Sequence, residues 1–125
     1  MAIVHYQQAL DLYQGDYLPE RRYEDWSSFE RERLQVLVLG LMTTLAELML
    51  DRSPLESIRL TQYALTIDPV WENAYRIQMS AYAAQGNRPL AIKTYRQCTQ
   101  ALADELGIDP LPETQAMYQQ ILLDE

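Results

Sequence analysis

The segment IDPVWENAYRIQMSAYAAQGNRPLAIKTYRQC (residues 67–98) holds two apolar patterns of helical period separated by one turn. Its first half begins with Asp68 and Pro69, which predicts a helix capped by Asp68 with Pro69 in its first turn. QGNRP (85–89) interrupts the pattern, and a second helical stripe follows it. Two helices joined by so short a connection form an antiparallel hairpin.

The hairpin is part of an internal repeat of 34 residues. A shift of 34 pairs large apolar residues with large ones, as Leu45 with Met79, and small residues with small ones, as Ala64 with Cys98. This is the tetratricopeptide period, in which small residues let paired helices approach closely. YALTIDP (63–69) has the proline that ends such a unit, whereas CTQALADELG (98–107) continues as helix where a proline would be expected.

The rest of the chain also has helical periodicity and no sustained strand alternation. A helix is expected over about residues 3–13, ended by Gly15 and Pro19, and a long one follows from a cap at Asp25 or Ser27, where Ser27 and Glu30 fit a capping box. Pro54 and Pro112 begin two more. The predicted fold is all-α, a tetratricopeptide-like stack of about six helices in one domain over residues 1–125, with repeat units near 38–71 and 72–105.

Composition limits the possible functions. The formal net charge of −8 and a pI near 4.5 disfavour nucleic-acid binding by this segment. The densest apolar run (residues 36–50) is too short to span a bilayer and contains Glu47, so no membrane segment is expected. The N-terminal residues lack the pattern of a secretory signal, and Cys98 is the only cysteine. A reducing, cytoplasmic location is the simplest interpretation.

The sequence indicates no catalytic, cofactor or metal site. His5 is the only histidine and lies close to the N-terminus, and Cys98 occupies a small-residue packing position that suits an inert core thiol. The acidic pairs at 104–105 and 124–125 lack the ligand pattern of a calcium loop and are expected to be solvated. The four glycines are isolated, so no phosphate-binding loop is present.

Four fragments in order carry a family resemblance: LYQGDYLPE (12–20), YEDWSSFERERL (23–34), the segment 67–98, and LADELGIDPLPETQAMYQQIL (102–122). Together they resemble the bacterial transcriptional activator domain, a tetratricopeptide-like helical module of bacterial regulators that include the antibiotic regulatory protein family. The resemblance covers roughly residues 6–122. It implies structural roles for the following motif residues: Gly15, Trp26, Arg31, Pro69, Gly86, Ala91 and Tyr95.

The resemblance also implies a function. In that family the module follows a winged-helix DNA-binding domain and is thought to mediate dimerisation, regulation and activation. This chain lacks the winged helix, so we expect a non-enzymatic fragment of a transcription regulator that meets DNA only through that missing domain, or alternatively a stand-alone relative. Its expected partner is another protein or a second copy. A general tetratricopeptide-type adaptor or scaffold of a signalling protein is the competing interpretation.

The 34-residue register predicts which residues line the concave face of the stack, where a partner would bind. They are Met42, Ala46 and Met49 from one unit, and Asn73, Arg76, Ser80 and Ala83 from the next. The alternative for Met42 and Met49 is that the N-terminal helix covers them.

Overall fold

A computed structural model describes residues 26–124, and this part of the chain is entirely helical. Its five helices are α1 (Ser28–Met49), α2 (Pro54–Ile67), α3 (Glu72–Ala84), α4 (Arg88–Leu106) and α5 (Pro112–Leu123). The predicted all-α hairpin stack is therefore confirmed. The helix predicted at 3–13, and the turn predicted at Gly15, lie outside the described residues.

Local capping sets most helix boundaries. Ser27 caps α1 with the predicted capping box: its hydroxyl accepts from the Glu30 N–H at 3.2 Å, and the Glu30 carboxylate accepts from the Ser27 N–H at 3.1 Å. Ser53 caps α2 ahead of Pro54, and Asn87 caps α4 through a 3.2 Å bond from the Leu90 N–H. These polar residues accept hydrogen bonds that the first turn of each helix cannot make internally.

The predicted cap of α3 at Asp68 is wrong, because the cap residue is Trp71, three residues later, and the helix begins at Glu72. Asp68 instead closes a turn, in which its carboxylate accepts from the Val70 N–H at 3.1 Å. The Tyr75 hydroxyl donates to the Pro69 carbonyl at 2.7 Å and holds that turn against the helix. An Asp-Pro pair suits both a helix cap and a turn, and the bond from Tyr75, six residues after Pro69, favours the turn.

Successive helices pack as hairpins: α1 on α2, α2 on α3, and α3 on α4, while α5 contacts both α3 and α4. Small residues allow the close approach that the repeat requires. Ala46, Ser57 and Ala64 are fully buried between α1 and α2, and the Ser57 hydroxyl donates to the Ala46 carbonyl at 2.7 Å. Larger apolar residues of α1, α2 and α3, including Leu39, Leu60 and Ile77, complete this part of the core.

The missing proline of the second unit has a structural substitute. Helix α4 continues to Leu106 and ends at Gly107, which adopts the left-handed conformation with φ 63°. The N–H of Ile108 reaches the Leu102 carbonyl at 3.4 Å and the N–H of Gly107 reaches the Ala103 carbonyl at 3.1 Å, a bonding pattern that ends the helix. The chain then turns into α5, where the ring of Tyr118 stacks on Tyr95 of α4 at 3.9 Å between centroids.

Candidate functional site

The residues predicted to line a partner-binding face do not share one open surface. Met42 and Ala46 are 2% and 0% exposed and belong to the core between α1, α2 and α3. Met49 is half-buried against the same core. Burial leaves Met42 and Ala46 out of any surface that a partner could contact in this conformation.

The predicted residues of α3 face α5 of the same chain. Asn73, Arg76 and Ser80 are half-buried, and Ala83 is exposed at the end of the helix. The Ser80 hydroxyl lies 3.8 Å from the Met117 sulfur of α5. In this structure Arg76 and Ser80 therefore contact α5 of the same chain, and partner binding by the predicted residues of α3 stays a prediction.

A polar network joins α3 to the beginning of α5. The Glu72 carboxylate accepts two bonds, from the Leu111 N–H at 2.7 Å and from the Thr114 hydroxyl at 2.5 Å. Arg76 donates to the Thr114 hydroxyl at 2.9 Å, and its guanidinium lies 3.8 Å from the Glu72 carboxylate and 3.6 Å from that of Glu113. Thr114 is fully buried and connects the two charged groups. This network fixes α5 on α3.

Neither Glu72 nor Thr114 was singled out from the sequence. Their hydroxyl–carboxylate bond spans 42 residues, so no helical spacing or short motif connects them. The sequence feature that comes closest to predicting this contact is the 34-residue repeat. It predicts that another helix equivalent to Glu72–Ala84 follows one period further along the chain and packs beside it.

The remaining motif residues lie at packing or turn positions. Trp26 is half-buried, and both Trp26 and Arg31 have interaction partners. Gly86 has φ 74°, the left-handed conformation that favours glycine in the turn between α3 and α4. Ala91 is fully buried, and Tyr95 is the stacking partner of Tyr118.

An apolar patch is exposed along the first half of α1. It consists of Phe29, Val36 and Leu37, which are 68%, 57% and 58% exposed, together with Arg33, whose guanidinium carbon lies 5.7 Å from the Phe29 ring centroid. We call this surface the α1 patch. Glu32 lies at its edge. Large apolar side chains grouped on one exposed face are typical of a contact surface rather than of ordinary surface variation.

The groups that could support chemistry are sparse in the part of the chain that the structure describes. Burial raises the pKa of the Cys98 thiol to about 12, so the thiol stays protonated and unreactive near neutral pH. Between residues 26 and 124, no group of three or more His, Cys, Asp or Glu side chains is placed to hold a metal ion. None of the described helices is long and apolar enough to cross a membrane.

Comparison with known proteins connects this fold to regulation. The family described as "Bacterial transcriptional activator domain" matches residues 1–122. The chain is also similar to "Regulatory protein AfsR" of Streptomyces coelicolor (strain ATCC BAA-471 / A3(2) / M145), with 30% identity over 115 residues. That alignment covers 91% of this chain and 12% of the relative, so the chain spans about an eighth of that protein's length. No solved structure matches the chain significantly.

Proposed function

The chain belongs to the bacterial transcriptional activator domain family, and we propose that it is a non-enzymatic protein-interaction module of a longer bacterial transcription regulator. As a member of that family it is a domain of transcription regulators. The interaction role, the absence of catalysis and a cytoplasmic site of action are the proposed parts. DNA contact is assigned to a separate domain, because this segment carries a net charge of −8. The family resemblance implies that this domain is a winged helix.

The single observation that carries the interaction role is the α1 patch. Its apolar side chains remain exposed although α1 also contributes much of the core. Covering contiguous exposed apolar surface of this kind with another protein is energetically favourable, because it removes that surface from water. The occupant that we propose is a second copy of the same patch.

The order of residues in the α1 patch favours pairing with itself. If two copies of α1 meet antiparallel about a two-fold axis between Glu32 and Arg33, each Glu32 faces the second copy's Arg33. The same operation places Phe29 opposite the second copy's Val36. One arrangement thus covers the apolar residues and pairs opposite charges at the centre. The apolar residues favour association, and the charge pairs fix the alignment of the two helices.

The contact is expected to be weak on its own. Stable dimers bury about 1,200–2,000 Å² in total, and four side chains of one helix supply only a part of that area. In a longer regulator, tethering to other domains would raise the effective concentration of the two patches. The isolated domain should therefore dimerise only at high concentration.

Sedimentation velocity across a wide concentration range tests this proposal. We expect a concentration-dependent dimer that Val36→Glu abolishes. Leu55→Glu is the matched control, because Leu55 is 70% exposed on α2 and lies outside the patch. A wild-type protein that stays monomeric at high concentration would contradict the proposal, and so would equal behaviour of the two variants.

A charge exchange sharpens the test of the two-fold arrangement. Arg33→Glu alone places four carboxylates at the centre and should weaken the dimer. The double variant Glu32→Arg with Arg33→Glu restores opposite charges across the axis and should restore dimerisation. If the double variant does not dimerise, this two-fold register is wrong. Whether the α1 patch forms the contact at all is then decided by the Val36→Glu experiment.

A further inference from the structure

A cleft of about 400 Å³ opens between α2 and α4, with α3 at its base. Gln62, Leu65 and Thr66 of α2 line one wall, and the side chains of Leu90, Lys93, Thr94 and Gln97 of α4 line the other. Tyr75, Gln78 and Tyr82 of α3 lie between the walls. None of these residues belongs to the α1 patch or to the network that holds α5.

The central feature of the cleft is Gln78. The residue is only 5% exposed, it lines the cleft, and its side chain makes no hydrogen bond to any described residue. A side-chain amide has two N–H donors and a carbonyl acceptor, and those of Gln78 stay accessible from the cleft although the rest of the residue is buried. An amide held in this way is suited to bind a group that both donates and accepts.

The peptide group is the commonest partner with that chemistry. It has one N–H and one C=O, which an amide side chain can bind together. Gln62 and Gln97 place two more amides on the two walls, so α2, α3 and α4 each present one to the same cleft. The rings of Tyr75 and Tyr82, with Leu65 and Leu90, add apolar surface beside them. Amides beside apolar surface suit an extended peptide, because its backbone needs hydrogen-bond partners and its apolar side chains need apolar surface.

The charge of the cleft points to an acidic peptide. Lys93 is the chain's only lysine, it is exposed, and it makes no ion pair with a described residue. No aspartate or glutamate of residues 26–124 lines the cleft, although the whole chain carries a net charge of −8. Lys93 is therefore the cationic group of the cleft lining, and a carboxylate is its complement.

We propose that this cleft binds a short extended peptide segment of a partner protein, with a peptide group on the Gln78 amide and an acidic side chain at Lys93. The site would recognise an unfolded segment, whereas the α1 patch pairs folded domains. The inference goes beyond the proposed self-association and does not depend on it.

NMR titration of the isotope-labelled domain tests the proposal with two blocked peptides, acetyl-Ala-Glu-Leu-Ala-amide and the same peptide with Gln in place of Glu. We expect saturable shifts of the Gln78 side-chain amide with both, and binding of the Glu peptide that is about threefold tighter, as expected for one exposed ion pair. Gln78→Met, which keeps the length of the side chain, should weaken both peptides about tenfold, because the amide bonds are lost.

Matched variants separate the two parts of the site. Lys93→Gln should reduce binding of the Glu peptide to that of the Gln peptide, whereas Arg96→Gln, which removes a charge from α4 outside the cleft, should leave the difference intact. Gln119→Met on the exposed face of α5 controls for the amide change. Far-ultraviolet circular dichroism and urea melts establish that each variant is folded. Should Gln78→Met not fold, the Lys93→Gln comparison still decides the outcome.

Three results would overturn the proposal: no saturable shift with either peptide, unchanged affinities in Gln78→Met, or sodium acetate reproducing the whole effect of the Glu peptide. The last would mean that Lys93 attracts any free carboxylate. The sedimentation behaviour of the Val36→Glu variant is independent of all three, so failure of the cleft and failure of the α1 patch are distinguishable.

Discussion

Replacing Thr114 with valine should loosen α5 from α3. The Thr114 hydroxyl is fully buried, donates to the Glu72 carboxylate at 2.5 Å and accepts from Arg76 at 2.9 Å. Valine has nearly the same shape as threonine, so Thr114→Val opens no cavity and removes only the two hydrogen bonds. The effect of the substitution therefore measures the network rather than the packing.

The magnitude follows from the partners. A hydrogen bond to a charged group contributes about 1.5–3 kcal/mol. Glu72 retains its bond from the Leu111 N–H, and its side chain and that of Arg76 are 11% and 16% exposed, which lets solvent reach both charges after the substitution. The two bonds together set an upper range of about 3–6 kcal/mol, solvent access to both charges reduces it, and we expect a loss of about 2–3 kcal/mol in the free energy of unfolding. For a domain with a total stability of about 5–15 kcal/mol, that loss is large.

Urea unfolding measures the loss, and Thr61→Val is the matched control. Thr61 is also fully buried, but its hydroxyl donates to the Ser57 and Ile58 carbonyls of its own helix at 3.0 and 2.9 Å. Such a bond within one helix adds little to stability, so Thr61→Val should cost less than about 1 kcal/mol. Amide hydrogen exchange should also accelerate in α5 for Thr114→Val and remain unchanged there for Thr61→Val.

Two outcomes would refute this reasoning. Equal losses for Thr114→Val and Thr61→Val would mean that the bonds to Glu72 and Arg76 contribute no more than a bond within one helix. A large loss without faster exchange in α5 would mean that Thr114 stabilises some other part of the domain.

Two further predictions concern charge and pH. The isolated domain should show no sequence-dependent DNA binding below micromolar concentration in an anisotropy titration at moderate salt, because its net charge is −8; specific binding would contradict the assignment of DNA contact to another domain. Stability should fall as pH rises above about 9, since burial raises the pKa of both Tyr75 and Cys98 to about 12 and the unfolded chain loses these protons first. Thermal melts across the alkaline pH range check this. For the same reason, a thiol reagent should modify Cys98 far more slowly in the native protein than in the denatured protein.

Much of the fold follows from local signals in the sequence. Ser27 with Glu30, Ser53 ahead of Pro54, and the turn at Gly86 each act over a few residues, and each has the predicted effect in the structure. The pairing of small residues at the 34-residue period also predicts the close contact of α1 with α2, because small side chains such as Ala46 and Ser57 let the two helices approach. The start of α3 escaped prediction because the Tyr75 hydroxyl, six residues after Pro69 and within α3 itself, holds the preceding turn.

The interaction surfaces were harder to predict for a physical reason. The repeat register shows which side of α3 faces the inside of the stack, but periodicity contains no information about which element fills that side. Glu72, Arg76 and Thr114 form their network across 38–42 residues, and each is an ordinary helix-surface residue in its own local sequence. The cleft has the same origin: only the packing of α2 and of α4 on α3 brings Gln62, Gln78 and Gln97 to one place.

The two ends of the described stack favour a closed assembly over a filament. A contact between the α1 patch and the outer face of α5 would be head-to-tail, and head-to-tail contacts can add copies without limit. The outward residues of α5 include Gln115, Gln119 and Gln120, which are exposed and offer little apolar surface to a patch such as that of α1. Of these two contacts between described residues, pairing of the patch with itself covers Phe29 and Val36 on both copies and pairs Glu32 with Arg33. Association through the α1 patch should therefore stop at two copies, and a sedimentation series that continued to larger species would show that the contact is not two-fold.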